Sequence, residues 1–105
     1  MEKRYEPIVL QLRAEGLGLL ERCPWLELHC VIDDLAPSFF AWPQFLERDG
    51  SHVHEFRHAE LIFPADEKDI VMIAARTDYG EEVIQDALWL IYERHPSVNV
   101  RLSLA

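Results

Sequence analysis

The last third of the chain restricts the fold most strongly, because three segments of different periodicity follow one another there. Residues 70–76 (IVMIAAR) form an apolar run that is typical of a strand covered on both faces. Residues 78–95 have apolar side chains at helical spacing, with a capping-box pattern where Asp78 is followed by Glu81. Residues 98–104 (VNVRLSL) alternate apolar and polar side chains, as a half-exposed strand does. This succession predicts a sheet with a helix packed against it.

The segments upstream predict a further helix and two further strands. Residues 7–22 have the pattern of a helix, although their apolar start leaves a strand as the alternative there. Strands are predicted at residues 25–32 (WLELHCVI), where apolar side chains alternate, and at residues 52–63. Between them, residues 35–50 predict a long connection with a helical turn at residues 44–48. Its aromatic side chains either cap the core or serve a functional loop.

The predicted order is therefore helix, strand, strand, strand, helix, strand, within a single domain of residues 1–105. This order indicates an α+β fold with two helices and a mixed, mostly antiparallel sheet of about four strands. The half-exposed last strand offers an edge for pairing with a second copy of the chain, so a homodimer is compatible with the prediction.

The charge of the chain favours one class of partner. Its 19 Asp and Glu residues against 10 Lys and Arg residues give a formal net charge of −9. Such a surface repels nucleic-acid phosphates and anionic lipids and attracts basic proteins. Acidity that only keeps the protein in solution is the alternative. No apolar run approaches the roughly 18 residues that a membrane span needs, so neither nucleic acid nor membrane is an expected partner.

The two cysteines, Cys23 and Cys30, are too few for the disulfide framework of a small secreted domain. Two reduced and mostly buried thiols are predicted instead. This use of cysteine is typical of a cytoplasmic protein.

Three of the chain's five histidines lie within the stretch SHVHEFRHAE. On one extended strand, His52, His54, His58 and Glu60 would share a face, with successive side chains roughly 7 Å apart. These four residues are the candidate ligands for zinc or another divalent transition metal, which needs three or four donors. His58 is a step further from the first two, and the rest of the ligand set is not evident from the sequence. A polar strand face and a pH-sensitive surface are the alternatives.

The second predicted helix carries a tryptophan in the middle of its polar face. At about 100° per residue, Trp89 falls among acidic side chains, opposite the apolar stripe. Such a tryptophan is either covered by another element or exposed as an anchor for a protein partner. The candidate partner-binding residues are therefore Glu82, Asp86, Trp89 and Glu93.

These observations predict two alternative functions. The first is a small acidic protein-binding module without a cofactor: an inhibitor, immunity, anti-defence or regulatory protein. It would dock on a basic surface of a nuclease or nucleic-acid-handling complex. The second is a small metal-binding protein or enzyme that uses His52, His54 and His58, with Glu60 as an orienting group. The sequence contains no nucleophile elbow, P-loop, dinucleotide fingerprint or zinc-protease motif, which favours the first function and disfavours an enzyme.

Overall fold

The computed structural model describes residues 5–11, 24–94 and 103–104, and over these residues the fold is α+β. Among the described residues, six strands form one sheet in the order β2-β3-β4-β5-β1-β6, and every pair of neighbours is antiparallel. The elements are β1 Ile8–Gln11, α1 Pro24–Leu35, β2 Gln44–Arg48, β3 Ser51–Glu55, β4 Ala59–Phe63, β5 Ile70–Ala75, α2 Asp78–Arg94 and β6 Ser103–Leu104. The predicted fold class is confirmed. Over the described residues, the sheet has more than the expected four strands, and the order of the elements is β-α-β-β-β-β-α-β rather than α-β-β-β-α-β.

Residues 25–32 were predicted to form a strand, but they lie in the helix α1, so this prediction was wrong. Leu28, Val31 and Ile32 are buried, at the spacing of one helical face, while Leu26 and Cys30 are exposed. The alternating apolar residues at positions 26, 28, 30 and 32 fit a strand. The residues that are actually buried, at positions 28, 31 and 32, have helical spacing instead. The free thiol of Cys30 is thus exposed and not buried as expected, and Cys23 lies outside the described residues.

Ile8–Gln11, at the start of the predicted first helix, form the strand β1, and a strand was the alternative there. Ile8 and Leu10 of β1 are buried, and they pair with Ile73 and Val71 of β5. The rest of the predicted first helix, residues 12–22, lies outside the described residues, as does most of the predicted last strand. The described part of that last strand, β6, pairs antiparallel with β1 at the edge of the sheet.

Residues 44–48 form the edge strand β2, and the helical turn predicted there was wrong. A two-residue turn joins β2 to β3, with Asp49 at φ 53° and Gly50 at φ 81°. Positive φ at both central residues is the geometry of a type I′ hairpin, for which the Asp-Gly pair is a preferred sequence. A second turn, in which Phe56 N donates to Ala59 O at 2.8 Å, divides the predicted strand of residues 52–63 into β3 and β4. The histidine segment is therefore a hairpin.

The two helices cover one face of the sheet. Ile8, Ile73 and Leu61 are register neighbours on that face, and all three are buried in the core. The predicted apolar stripe of α2 is buried against them, through Val83, Ile84, Ala87, Leu88 and Ile91. The cap of α2 lies one residue before the predicted one, because Thr77 Oγ1 accepts from Gly80 N at 3.0 Å.

The opposite face of the sheet carries a row of apolar side chains in register. From β2 to β1 the row consists of Leu46, Val53, Ile62, Met72 and Val9. Arg48 and Glu60 form an ion pair at 3.2 Å, and the register places them on either side of this row, on the two strands that flank β3. Their side chains must therefore cross β3 above Val53, which accounts for its 1% exposure. Among the described helices, none is long and apolar enough to cross a bilayer.

Candidate functional site

The hairpin separates the four candidate metal ligands. His52 and His54 pair with Phe63 and Leu61, so both histidines lie on the helix-covered face of the sheet, near its β2 edge. Glu60, next to Leu61 in β4, is on the opposite face. The four residues therefore do not share one face of the sheet. The turn between β3 and β4 interrupts the strand, so the alternation of side chains between the two faces does not continue from His54 to Glu60.

Each histidine in this segment has its own surroundings. The His54 ring lies 4.7 Å from both Phe45 and Phe63, and desolvation by these surroundings, with the nearby His52, lowers its pKa from the usual 6.5. His58 lies in the turn, where its Nδ1 is 2.8 Å from Thr77 Oγ1. Over the part of the chain that the structure describes, no group of three or more histidine, cysteine or carboxylate side chains is placed to hold a metal ion. The described residues thus supply no ligand set for zinc.

The outer face of α2 has the predicted composition. Glu82, Asp86, Trp89 and Glu93 are all exposed, at intervals of four, three and four residues along one side of the helix. Trp89 is 66% exposed, so the connection between α1 and β2 does not cover it. Its indole Nε1 donates to Glu93 Oε1 at 3.1 Å, one helical turn away. On this face of α2, the indole of Trp89 lies among carboxylates and is exposed to solvent.

A second surface, which the sequence did not predict, is a cavity of about 630 Å³. It lies between the end of α1 with the following connection, the β3–β4 turn and the start of α2. We call it the aromatic cavity, and its exposed apolar residues are Leu35, Trp42 and Tyr79. Arg57 and His58 of the turn complete it on the polar side.

The connection of residues 36–43 both caps the core and forms one wall of the aromatic cavity. Phe39 is buried, and Phe40 packs against the core with its ring 5.1 Å from that of Phe56. Trp42, three residues after Phe39, is 93% exposed. The sequence offered one indication of this site, an aromatic connection between two prolines. Phe39 and Phe40 cap the core, which was one of the two interpretations, and a functional role of the connection stays a prediction.

Comparisons with protein-family models, with curated proteins and with solved structures give no match for this chain. What the chain can bind therefore has to be inferred from its own exposed side chains and their charges. Two surfaces stand out among the described residues: the acidic outer face of α2 and the aromatic cavity at the start of the same helix.

Proposed function

We propose that this chain is a protein-binding module that docks on a basic surface of another protein through the outer face of α2. The observation that carries the proposal is Trp89, 66% exposed in the middle of Glu82, Asp86 and Glu93. Tryptophan is enriched among the residues that dominate binding energy in protein interfaces. An indole exposed to water on the solvent side of an amphipathic helix contributes little to the core of its own chain, which supports a role toward a partner.

The hydrogen bond from Trp89 to Glu93 supports the same role. It joins residues four apart on one helix and favours one orientation of the indole. A side chain that is already ordered in the free protein loses less conformational entropy on binding, which increases affinity. The flanking carboxylates would contribute mainly to the rate of association and to the choice of partner.

The formal charge of −9 supports a partner that normally binds nucleic acid. A nuclease or nucleic-acid-handling complex presents a positive groove for phosphates, and carboxylates on a helix can occupy such a groove in their place. We therefore place the chain in the inhibitor, immunity, anti-defence or regulatory class. An acidic protein that covers such a groove needs no catalytic group of its own.

Charge reversal with a matched control tests this proposal. One variant carries Glu82→Lys, Asp86→Lys and Glu93→Lys, and the control carries Asp66→Lys, Glu67→Lys and Asp69→Lys in the exposed connection between β4 and β5. Both change the formal charge by the same amount, at different places. The wild-type chain is used to isolate its partner from a lysate of the source organism at low salt, and the purified partner is then titrated with each variant.

The control should keep the affinity within a factor of about three, while the α2 variant and Trp89→Ala should each lose at least tenfold, about 1.4 kcal/mol. Affinity of the wild type should also fall with added salt, as expected for opposite charges. Equal affinity of the two charge-reversed variants for the isolated partner would contradict the assignment of the surface.

A further inference from the structure

Exposed apolar side chains are concentrated at the aromatic cavity. Among the described residues, six large hydrophobic side chains are exposed, and three of them line this cavity: Leu35 at 44%, Trp42 at 93% and Tyr79 at 50%. Single exposed apolar residues are normal on a protein surface, but a contiguous group around a concave site is typical of a binding site. A volume of about 630 Å³ is within the usual range for small-molecule sites.

The backbone at Trp42 is strained, and its indole lies outside the core. Its φ is 58°, in the left-handed region that a bulky side chain avoids at a cost of roughly 1–2 kcal/mol. The preceding turns are closed by backbone hydrogen bonds from Phe39 N to Ala36 O at 2.9 Å and from Ala41 N to Ser38 O at 3.2 Å. Backbone strain of this kind is concentrated at functional sites. A tryptophan that is both strained and 93% exposed is better explained by a ligand than by packing.

The opposite wall of the aromatic cavity is fixed by contacts within the chain. The His58 ring lies 4.8 Å from the Tyr79 ring and 6.3 Å from the Phe39 ring. Its Nδ1 is within hydrogen-bonding distance of Thr77 Oγ1, so the ring is held from two sides. The His58 ring thereby contacts both Tyr79 of α2 and Phe39 of the connection that carries Trp42. A flat, apolar group fits a site with aromatic side chains on both walls.

The polar side of the cavity carries a cation that has no acidic partner among the described residues. Arg48 in β2 and Arg76, directly after β5, are paired with Glu60 and Glu55, whereas Arg57 is exposed and forms no such ion pair in the described part of the chain. A guanidinium binds a carboxylate through two parallel hydrogen bonds. Arg57 lies beside an apolar cavity and has no acidic partner among the described residues, so it is complementary to a ligand with a single negative charge.

We propose that the aromatic cavity is a binding site for a small, flat aromatic carboxylate. The ring system lies against Trp42 and Tyr79, and the carboxylate accepts hydrogen bonds from Arg57. The site is distinct from the outer face of α2, so this proposal does not depend on the protein-binding role of Trp89.

The test uses 2-naphthoate as the probe and 2-naphthamide as its neutral counterpart of the same shape. Each is titrated into the full chain up to millimolar concentration, and binding is followed by backbone amide NMR and by calorimetry. The variants are Arg57→Gln and Trp42→Ala. Their matched controls are Lys68→Gln, which removes an exposed cation in the β4–β5 connection, and Trp89→Ala, which removes an exposed tryptophan elsewhere. All four side chains are exposed, so each variant should fold, which its amide spectrum verifies.

We expect 2-naphthoate to shift amide resonances of the connection, the β3–β4 turn and the start of α2, and to bind at least tenfold more tightly than 2-naphthamide. Arg57→Gln should remove this difference, and Trp42→Ala should weaken both probes at least fivefold, while both controls bind like the wild type. The proposal is overturned if 2-naphthoate does not bind, if the acid and the amide bind equally, or if Trp89→Ala weakens binding as much as Trp42→Ala.

Discussion

Gly80, in the first turn of α2, lies against the backbone of the β3–β4 turn. A Cβ at this position would be 2.9 Å from the carbonyl carbon of His58, 3.2 Å from its Cβ, and closer still to its carbonyl oxygen. A flexible side chain could move aside, but the nearest atoms here are backbone. The substitution Gly80→Ala must therefore displace the turn from the helix by about the amount of the overlap. In an exposed helix position, Gly→Ala would stabilise the protein by about 1 kcal/mol. The sign of the change in stability therefore shows whether the close approach of Gly80 to the turn requires glycine.

The size of the effect follows from the contacts that the displacement breaks. The carbonyl of His58 accepts a hydrogen bond from Arg76 N at 2.8 Å, and one such bond contributes about 1 kcal/mol. The cap between Gly80 N and Thr77 Oγ1, at 3.0 Å, contributes about the same. Overpacking a tight site costs a further 1–3 kcal/mol or so. After subtraction of the gain in helix propensity, Gly80→Ala should destabilise the fold by about 2–4 kcal/mol.

Denaturant unfolding measures this prediction, and the melting temperature should fall by about 10–20 °C. The control is Gln85, exposed in the same helix, where Gln85→Ala should be more stable than Gln85→Gly by about 1 kcal/mol. If Gly80→Ala is neutral or stabilising while Gln85 behaves as expected, the close approach of α2 to the turn is not what requires glycine.

Two further predictions concern proton binding. The Tyr5 hydroxyl donates to the Asp78 carboxylate, and this hydrogen bond is the main cause that raises the pKa of Tyr5 to about 12. Absorbance at 295 nm should therefore show one of the three tyrosines ionising near pH 12, and Tyr5→Phe should remove that step. The stabilisation that this hydrogen bond gives the fold is present below pH 10 and is lost as the pH rises toward 12. The pKa of His54 is lowered, chiefly by desolvation, so the unfolded chain binds this proton more readily. The contribution of neutral His54 to the free energy of unfolding should be fully present above pH 6.5. It should decrease as the pH falls from 6.5 to the pKa of His54 in the folded state. His54→Gln should remove this part of the dependence, and an unchanged slope of denaturant midpoint against pH would contradict it.

The sequence predicted most reliably where a single periodicity extends over many residues. The second helix runs for 17 residues, and its stripe from Val83 to Ile91 is buried as expected. By contrast, the eight residues WLELHCVI contain both an alternating set and a helical set of apolar side chains. Packing decides between them, because α1 buries Leu28, Val31 and Ile32 against the core. Information of that kind is not local, and so a short apolar segment remains ambiguous.

Turns account for the other differences between prediction and structure. The Asp49-Gly50 pair is a hairpin sequence, and it identifies the strand that was predicted as a helical turn. The turn at Arg57 and His58 has no such sequence. Its effect is larger, because it places Glu60 on the face opposite His54 and so separates the candidate ligands of one metal site. An alternating pattern predicts which side chains share a face only as long as the strand continues.

The aromatic cavity lay beyond prediction for a related reason, since it is assembled from three segments that are distant in the chain. Their meeting depends on residues without functional character: Gly80 permits the close approach, and Thr77 links the cap of α2 to His58. The same helix also carries Trp89, ten residues after Tyr79, which is about 15 Å along the helix axis. Sites that far apart without shared contacts respond to substitution almost independently. Loss of naphthoate binding in Trp42→Ala should therefore leave binding of a protein partner at Trp89 unchanged, and the two proposals can fail separately.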